Sequence, residues 1–216
     1  QSDSEVLVRA YKEWGAECLD RLNGMFAFAI LDGRKIFLAR DIAGEKPLYY
    51  SIHPGGPFKF ASELKALGFV GSEFPPASFG IYDLDTHVLS IKQWWNFVPK
   101  TIDSNYNDAV DCLDALLADS VQIRTATEVP YGLYASGGID STLISTYHEF
   151  EHRFTYRDAD YKEEYLATFE KILWHLDYPI KSFSPFGLWK LAEEARKSVK
   201  VVLSGEGADE LFGGYV

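Results

Sequence analysis

At 216 residues, with 47% hydrophobic and 15% aromatic side chains, the chain has apolar material for one large or two small packed domains. Its formal net charge of -11 argues against a nucleic-acid or anionic-membrane surface, whose phosphates repel an acidic protein, while small anions can still bind locally. No apolar run is long enough to span a bilayer, and no signal-peptide pattern opens the chain.

Ser2 to Leu22 opens with a capping box, Ser2 and Glu5. It then sets Val6, Leu7, Ala10, Tyr11 and Trp14 at helical spacing, which predicts an amphipathic helix broken near Gly15. Met25 to Leu31 and Arg34 to Arg40 flank Asp32-Gly33, a strong hairpin signal. Pro47 to Ile52 and Phe58 to Ser62 form another pair around His53-Pro54-Gly55-Gly56. Antiparallel sheet is therefore expected to dominate the first hundred residues. The strand pattern gives way between Trp94 and Asn107 to a polar stretch containing Pro99. From Ala109 the residues Val110, Leu113, Leu116, Leu117 and Val121 repeat at helical spacing, so a domain boundary is placed near Asn96. The remainder alternates helices and strands, as a parallel-sheet nucleotide-binding domain does. Cys18 and Cys112 fall in predicted helices of different domains and make neither a disulfide framework nor a zinc site, which suits a reducing cytosol.

From Val129 to Ala135 an apolar run reads as a strand and empties into Ser136-Gly137-Gly138-Ile139-Asp140-Ser141-Thr142, where a helix begins. Two adjacent glycines let the backbone approach an anion and turn its N–H groups inward. The serine and threonine hydroxyls add donors, and the first helical turn adds partial positive charge. A triphosphate or pyrophosphate suits such a loop. Asp140 would repel phosphate, so its expected task is to hold a Mg2+ that bridges protein and phosphate. The loop lacks the lysine of GxxxxGK[ST], which disfavours a P-loop kinase or GTPase. A plain turn with an Asp or Ser helix cap is the competing reading, and the preceding strand and the length of the motif weigh against it.

A second motif follows Val199 to Leu203, which reads as a buried parallel strand and runs into Ser204-Gly205-Glu206-Gly207-Ala208-Asp209-Glu210-Leu211-Phe212-Gly213-Gly214-Tyr215. In an open α/β sheet the ligand sits at the carboxyl ends of the strands, so the two loops are expected to converge on one crevice, where Asp140 and Asp209 would share the metal. Glu206, Asp209 and Glu210 would also suit a solvated acidic first turn, but that leaves the glycine spacing unexplained.

The first loop resembles the pyrophosphate-binding loop of the ATP pyrophosphatases. Together, SGGIDST and VVLSGEGADELFGGY resemble the synthetase domain of the glutamine-dependent asparagine synthetases and their relatives, β-lactam synthetase-type enzymes included. Leu22 to Ile30, Leu38 to Asp41, Gly44 to Tyr50 and Phe60 to Lys65 are similar to the latter part of that family's glutaminase domain. The resemblance implies an α+β, truncated N-terminal-nucleophile glutaminase sandwich over residues 1–95. An α/β, parallel-sheet domain of the adenine nucleotide α-hydrolase kind would follow over 96–216. It also implies a cytoplasmic ligase using ATP and Mg2+. Glutamine would yield ammonia, a carboxylate (aspartate foremost) would be adenylated, and ammonia would attack the adenylate to give an amide, AMP and pyrophosphate. Under this resemblance Tyr134, Ser136, Gly137, Gly138, Asp140, Ser141, Ser204 and Gly205 bind ATP and pyrophosphate, and Asp140 and Asp209 hold the metal. Glu206, enclosed by glycines and tuned by burial, deprotonates the attacking nitrogen, and Asp3 pairs with the glutamine α-ammonium. A homodimer is compatible with it.

The departures carry information too. Family glutaminases use a cysteine at the mature terminus, whereas this chain begins Gln1-Ser2-Asp3, and Cys18, expected mid-helix, has neither a free amine nor a positioned histidine. The arginine and Asn-Gly stretch that grip glutamine have no match. The segment between Ser141 and Trp174 is shorter than the family's, which holds a second strand-helix unit, and the family continues past Val216 into helices with a pyrophosphate-contacting lysine. A partial chain is expected. Asp177-Tyr178-Pro179-Ile180-Lys181-Ser182-Phe183 departs from the family's Asp-Glu-Pro, which leaves open another carboxylate acceptor or a lactam closed by an internal amine. Two readings stand outside this class. A different ATP pyrophosphatase, such as an ammonia-dependent NAD synthetase or a tRNA-modifying enzyme, is opposed by the glutaminase-like half and the acidic charge. A non-catalytic nucleotide-binding or scaffolding protein is suggested by the missing nucleophile and lysine. Among single residues, His175 is expected to be packed and hydrogen-bonded. Arg40, Asp41 and Lys46 are expected to form ion pairs around a turn, Trp94 and Trp95 to pack at the domain junction, and His53 to face solvent.

Overall fold

In the computed structural model, which describes residues 2–53, 56–101, 103–155, 162–177 and 184–215, helix α1 (Asp3–Trp14) starts at Ser2, whose Oγ accepts from Glu5 N at 3.4 Å. The reciprocal half of the capping box is not made, because the Glu5 carboxylate turns instead to Arg9 at 2.6 Å. Gly15, at φ 57°, closes the helix with its N–H on Tyr11 O, and a 3₁₀ segment runs on from Gly15 to Arg21. Cys18 sits in that segment, buried, rather than within an α-helix.

The chain divides into two units, Gln1–Lys100 and Thr101–Val216. In the first, strands β1 (Ala27–Asp32), β2 (Lys35–Arg40), β6 (Ser78–Asp83) and β7 (Leu89–Gln93) form an antiparallel sheet in the order β1-β2-β6-β7. A smaller sheet has the order β4-β3-β5, from β3 (Tyr49–Ser51), β4 (Lys59–Ala61) and β5 (Ser72–Glu73). Alternation assigns the two faces of the larger sheet. Phe37 and Ala39, with Phe28, Ile30, Phe79 and Ile81, meet Ala10 and Leu19 of the helical layer. Ile36, Leu38, Leu89 and Ile91 pack with Tyr50 of the smaller sheet and with Leu48, Phe58 and Phe74, each next to one of its strands. The hairpin forms one residue later than read: Asp32 belongs to β1 and pairs with Lys35, and the two turn residues are Gly33, at φ 57°, and Arg34. The second pair is shorter than read, Tyr49 to Ser51 against Lys59 to Ala61, and His53 beside it is exposed. A third antiparallel partner, β5, joins β3 on its other side.

Arg40, Asp41 and Lys46 do not form the expected ion pairs with one another. Buried Asp41 accepts three backbone N–H groups, from Phe26 (3.1 Å), Glu45 (2.8 Å) and Lys46 (3.0 Å). Buried Arg40 donates to the carbonyls of Lys46, Gly44 and Phe74 and pairs with Glu73 at 2.8 Å. Two buried charges are thus satisfied chiefly by the backbone of the turn they hold. Trp94 stacks on Phe26 and donates its indole N–H to Arg40 O within the first unit, and Trp95 tilts against Phe97.

In the second unit α2 (Tyr106–Thr125) begins three residues before the periodicity suggested, because Asn105 caps it: Oδ1 accepts from Asp108 N at 3.0 Å and Nδ2 donates to the Asp108 carboxylate. Three parallel strands, β8 (Tyr131–Tyr134), β9 (His152–Phe154) and β10 (Val201–Leu203), lie in the order β10-β8-β9. Helix α3 (Ile139–Tyr147) follows β8, α4 (Lys162–Leu176) and α5 (Ser184–Ala195) separate β9 from β10, and α6 (Ala208–Phe212) follows β10. Both strands before the motifs are shorter than read. Val201 in β10 is exposed rather than buried, whereas Leu203 packs with Leu133, Val121 and Phe150. The segment after Ser141 holds a strand and a helix, β9 and α4. Among the described residues no helix is long and apolar enough to cross a membrane.

Gly132 in the middle of β8 lets β9 close in: a Cβ there would lie 2.8 Å from both His152 O and Phe154 Cε2. Gly132→Ala is expected to cost about 1–3 kcal/mol through overpacking, read as a lower unfolding midpoint. Unchanged stability would show that the two strands are not in this close register.

Candidate active site

The first loop leaves β8 where Ala135 N donates to Phe154 O at 2.8 Å. Gly137 adopts φ 80°, open to glycine at low cost. Ser136 Oγ accepts from Gly138 N (3.2 Å) and lies 3.0 Å from Ser141 Oγ, which in turn donates to Gly138 O at 3.3 Å. These two hydroxyls, read from sequence as donors to a ligand, here brace the loop on itself, and Ser141 is buried. Gly138 caps α3 without a side chain, so the first-turn N–H groups stay available to an anion. Tyr134 ends β8 half-buried, its ring edge-on to Phe154 at 6.5 Å, and burial pushes its phenol up.

The second loop leaves β10, the parallel neighbour of β8. Ser204 Oγ accepts from Glu206 N at 3.4 Å, Gly207 takes φ 93°, and α6 ends at Gly213, φ 69°. Gly213 N and Gly214 N both donate to Asp209 O, at 2.9 and 3.1 Å. The Asp209 side chain lies so close to Gly214 that a Cβ there would overlap its Oδ1. Glu206 is exposed rather than enclosed, as is Asp209, while Asp140 is half-exposed. The loops meet: a Cβ on Gly205 would lie 2.6 Å from Asp140 Cβ. Among the described residues no group of three or more His, Cys, Asp or Glu side chains could hold a metal ion.

Two families match in the same order as the two units. The glutamine amidotransferase domain matches residues 1–77, and asparagine synthase matches 112–157 and 148–216. The chain is 30% identical to asparagine synthetase [glutamine-hydrolyzing] 1 of Bacillus subtilis (99% of this chain, 43% of that one). It is 32% identical to asparagine synthetase [glutamine-hydrolyzing] 2 of Oryza sativa (100% and 44%) and 30% identical to asparagine synthetase B [glutamine-hydrolyzing] of Escherichia coli (100% and 47%). The chain belongs to the glutamine-hydrolysing asparagine synthetase family. It spans about half the length of these curated relatives.

Set within the asparagine synthetase family, the asparagine synthase match falls into two stretches that overlap at 148–157, where β9 lies. The alignments with the relatives run over 265 to 276 residues, so the relatives carry internal segments that this 216-residue chain lacks. Asp3 stands exposed in the first turn of α1, where the helix dipole favours a carboxylate. His175 lies edge-on to Trp189 at 4.9 Å, and its Nδ1–H donates to Lys171 O at 2.7 Å, so it is hydrogen-bonded as expected but exposed on α4 rather than packed inside. Of the segment Asp177 to Phe183, on which the acceptor question turned, residues 178–183 lie outside the described residues. Phe154, whose ring meets that of Tyr134, was missed from sequence because a three-residue strand leaves almost no periodic signal.

Proposed function

We propose that this chain serves an ATP-dependent amidotransferase that adenylates a carboxylate, aspartate foremost, and converts it to an amide with ammonia released from glutamine, forming AMP and pyrophosphate. The observation that carries this reading is the contact of two Ser/Gly/acid loops, each at the carboxyl end of a parallel strand, at Gly205 and Asp140. Residues 1–95 take the glutaminase part and 96–216 the synthetase part. The N–H groups of the first turn of α3, Ile139 to Ser141, receive the phosphates that the loop from Ser136 to Gly138 curves around, the edge-on pair of Tyr134 and Phe154 lies beside the base, and Ser204 and Gly205 close the opposite side. Asp140 and Asp209 offer the one or two carboxylates that Mg2+ takes in phosphate sites, with phosphate and water filling the rest. When bound, that ion supplies charge neutralisation on the pyrophosphate leaving group. Glu206 takes a proton from the attacking nitrogen, an assignment that exposure of its side chain permits. Asp3 holds the α-ammonium of glutamine. Two free thiols, Cys18 and Cys112, support a reducing compartment and hence the cytoplasm.

Calorimetry with MgATP tests the nucleotide site. Asp140→Ala is expected to weaken binding about tenfold or more, roughly 1.4 kcal/mol. Affinity equal to that of the wild-type chain would remove Asp140 from the site.

A further inference from the structure

Gly205 is the point at which the second loop rests on the first. A methyl group at 205 would lie 2.6 Å from Asp140 Cβ, closer than two carbons can approach, while the next atoms, Ser141 N at 3.4 Å and Asp140 C at 3.5 Å, would be in ordinary contact. The obstruction is therefore one atom. That atom is bonded directly to the Asp140 backbone in the first turn of α3, so no rotation of a side chain relieves it. Either the loop from Ser204 to Gly207 must lift away or Asp140 must move. The φ of Gly205 does not lie in the left-handed region, unlike that of Gly207 at 93°, so the demand for glycine at 205 is one of space and not of backbone conformation. The loop itself has limited freedom to lift, because Leu203 is held in parallel register against Leu133 immediately before it, and Ala208 N is tied to Gly205 O at 3.2 Å immediately after.

We propose that Gly205 is a positioning residue for Asp140: its bare backbone forms a stop against the Asp140 Cβ that sets where the base of that side chain sits and couples the two loops mechanically. This rests on the reading of Asp140 as the carboxylate that meets the metal. A side chain at 205 displaces the carboxylate without removing it, so the metal requirement rises while the ligand set stays complete.

The test uses the full chain. Gly205→Ala is made in three backgrounds: wild type, Asp140→Ala, which keeps the Cβ, and Asp140→Gly, which removes it. Without any nucleotide, Gly205→Ala is expected to lower the melting midpoint by about 5 °C or more in the wild-type and Asp140→Ala backgrounds. In the Asp140→Gly background it is expected to cause no further fall, the non-additivity expected when the Asp140 Cβ is the atom that the new methyl group meets. In the wild-type background, the Mg2+ concentration needed for half-maximal ATP binding by calorimetry is expected to rise about tenfold, the scale on which groups that orient a metal ligand act. Equal losses of stability in the Asp140→Ala and Asp140→Gly backgrounds would overturn the contact. An unchanged Mg2+ requirement in Gly205→Ala would overturn the positioning role. Absence of any Mg2+-dependent ATP binding by the wild-type chain would instead overturn the functional reading beneath it, and the melting comparison would still report on the contact.

Discussion

Glu206→Gln is expected to leave pyrophosphate exchange into ATP intact while amide formation by the full chain falls roughly 10²- to 10⁴-fold, the loss typical of a general base. Glutamine keeps the volume and one acceptor oxygen of glutamate but cannot take a proton, so only the step in which nitrogen attacks the adenylate should suffer. The geometry favours this division of labour. Glu206 follows Gly205, its backbone N–H is held by Ser204 Oγ, and its exposed side chain is free to reach a nucleophile arriving over the loop. Asp209→Asn is expected to act earlier. Asp209 sits in the first turn of α6, with its carboxylate folded onto Gly214 and its carbonyl holding the N–H groups of Gly213 and Gly214. Loss of its charge should impair adenylation itself, and exchange should fall along with amide formation. Exchange abolished in Glu206→Gln as fully as in Asp209→Asn would move Glu206 into nucleotide or metal binding and leave the base to be sought elsewhere.

The second large effect is on stability. Asp41→Ala should destabilise the first unit by on the order of 3 kcal/mol or more, because three part-buried backbone N–H groups, of Phe26, Glu45 and Lys46, lose their charged acceptor together and a hydrogen bond to a charged group is worth about 1.5–3 kcal/mol. For a unit of this size the unfolding midpoint should drop by more than about 10 °C. The loss should reach past the site of change, since Asp41 O also receives Ala77 N at 2.8 Å and the neighbouring Arg40 spans Gly44, Lys46, Glu73 and Phe74. Asp41→Asn is the informative companion: it retains one acceptor oxygen and places an amide N–H among donors, so an intermediate loss is expected. A midpoint unmoved by Asp41→Ala would mean that the turn from Ile42 to Pro47 is held by something other than this carboxylate.

Much of the architecture was legible in the chain because it is governed by local rules. Period-two alternation and the glycine at 33 specify the β1–β2 hairpin, one residue later than Asp32-Gly33 suggested, since a two-residue turn with a positive φ sets the register of the strands it joins. The two Ser/Gly/acid loops were visible as chemistry because glycine, hydroxyl and carboxylate side chains packed into seven or eight positions have few other uses. Local rules misjudged whatever depends on a distant partner. Helix α2 started early because an Asn cap outweighed the hydrophobic period, β9 escaped notice because three residues show no period, and Arg40 and Asp41 looked like ion-pair partners although each is satisfied mainly by backbone groups of the turn. Ser136 and Ser141 looked like free donors, yet in the folded loop each completes the other. Residue type and short-range spacing were enough to mark the two Ser/Gly/acid loops and the strands that run into them, because both are local features of the chain. That the loops touch at Gly205 and Asp140 could be seen only in the folded chain, because that contact joins residues 65 positions apart through the parallel pairing of β10 with β8, and such pairing is set by how sheet and helices pack together.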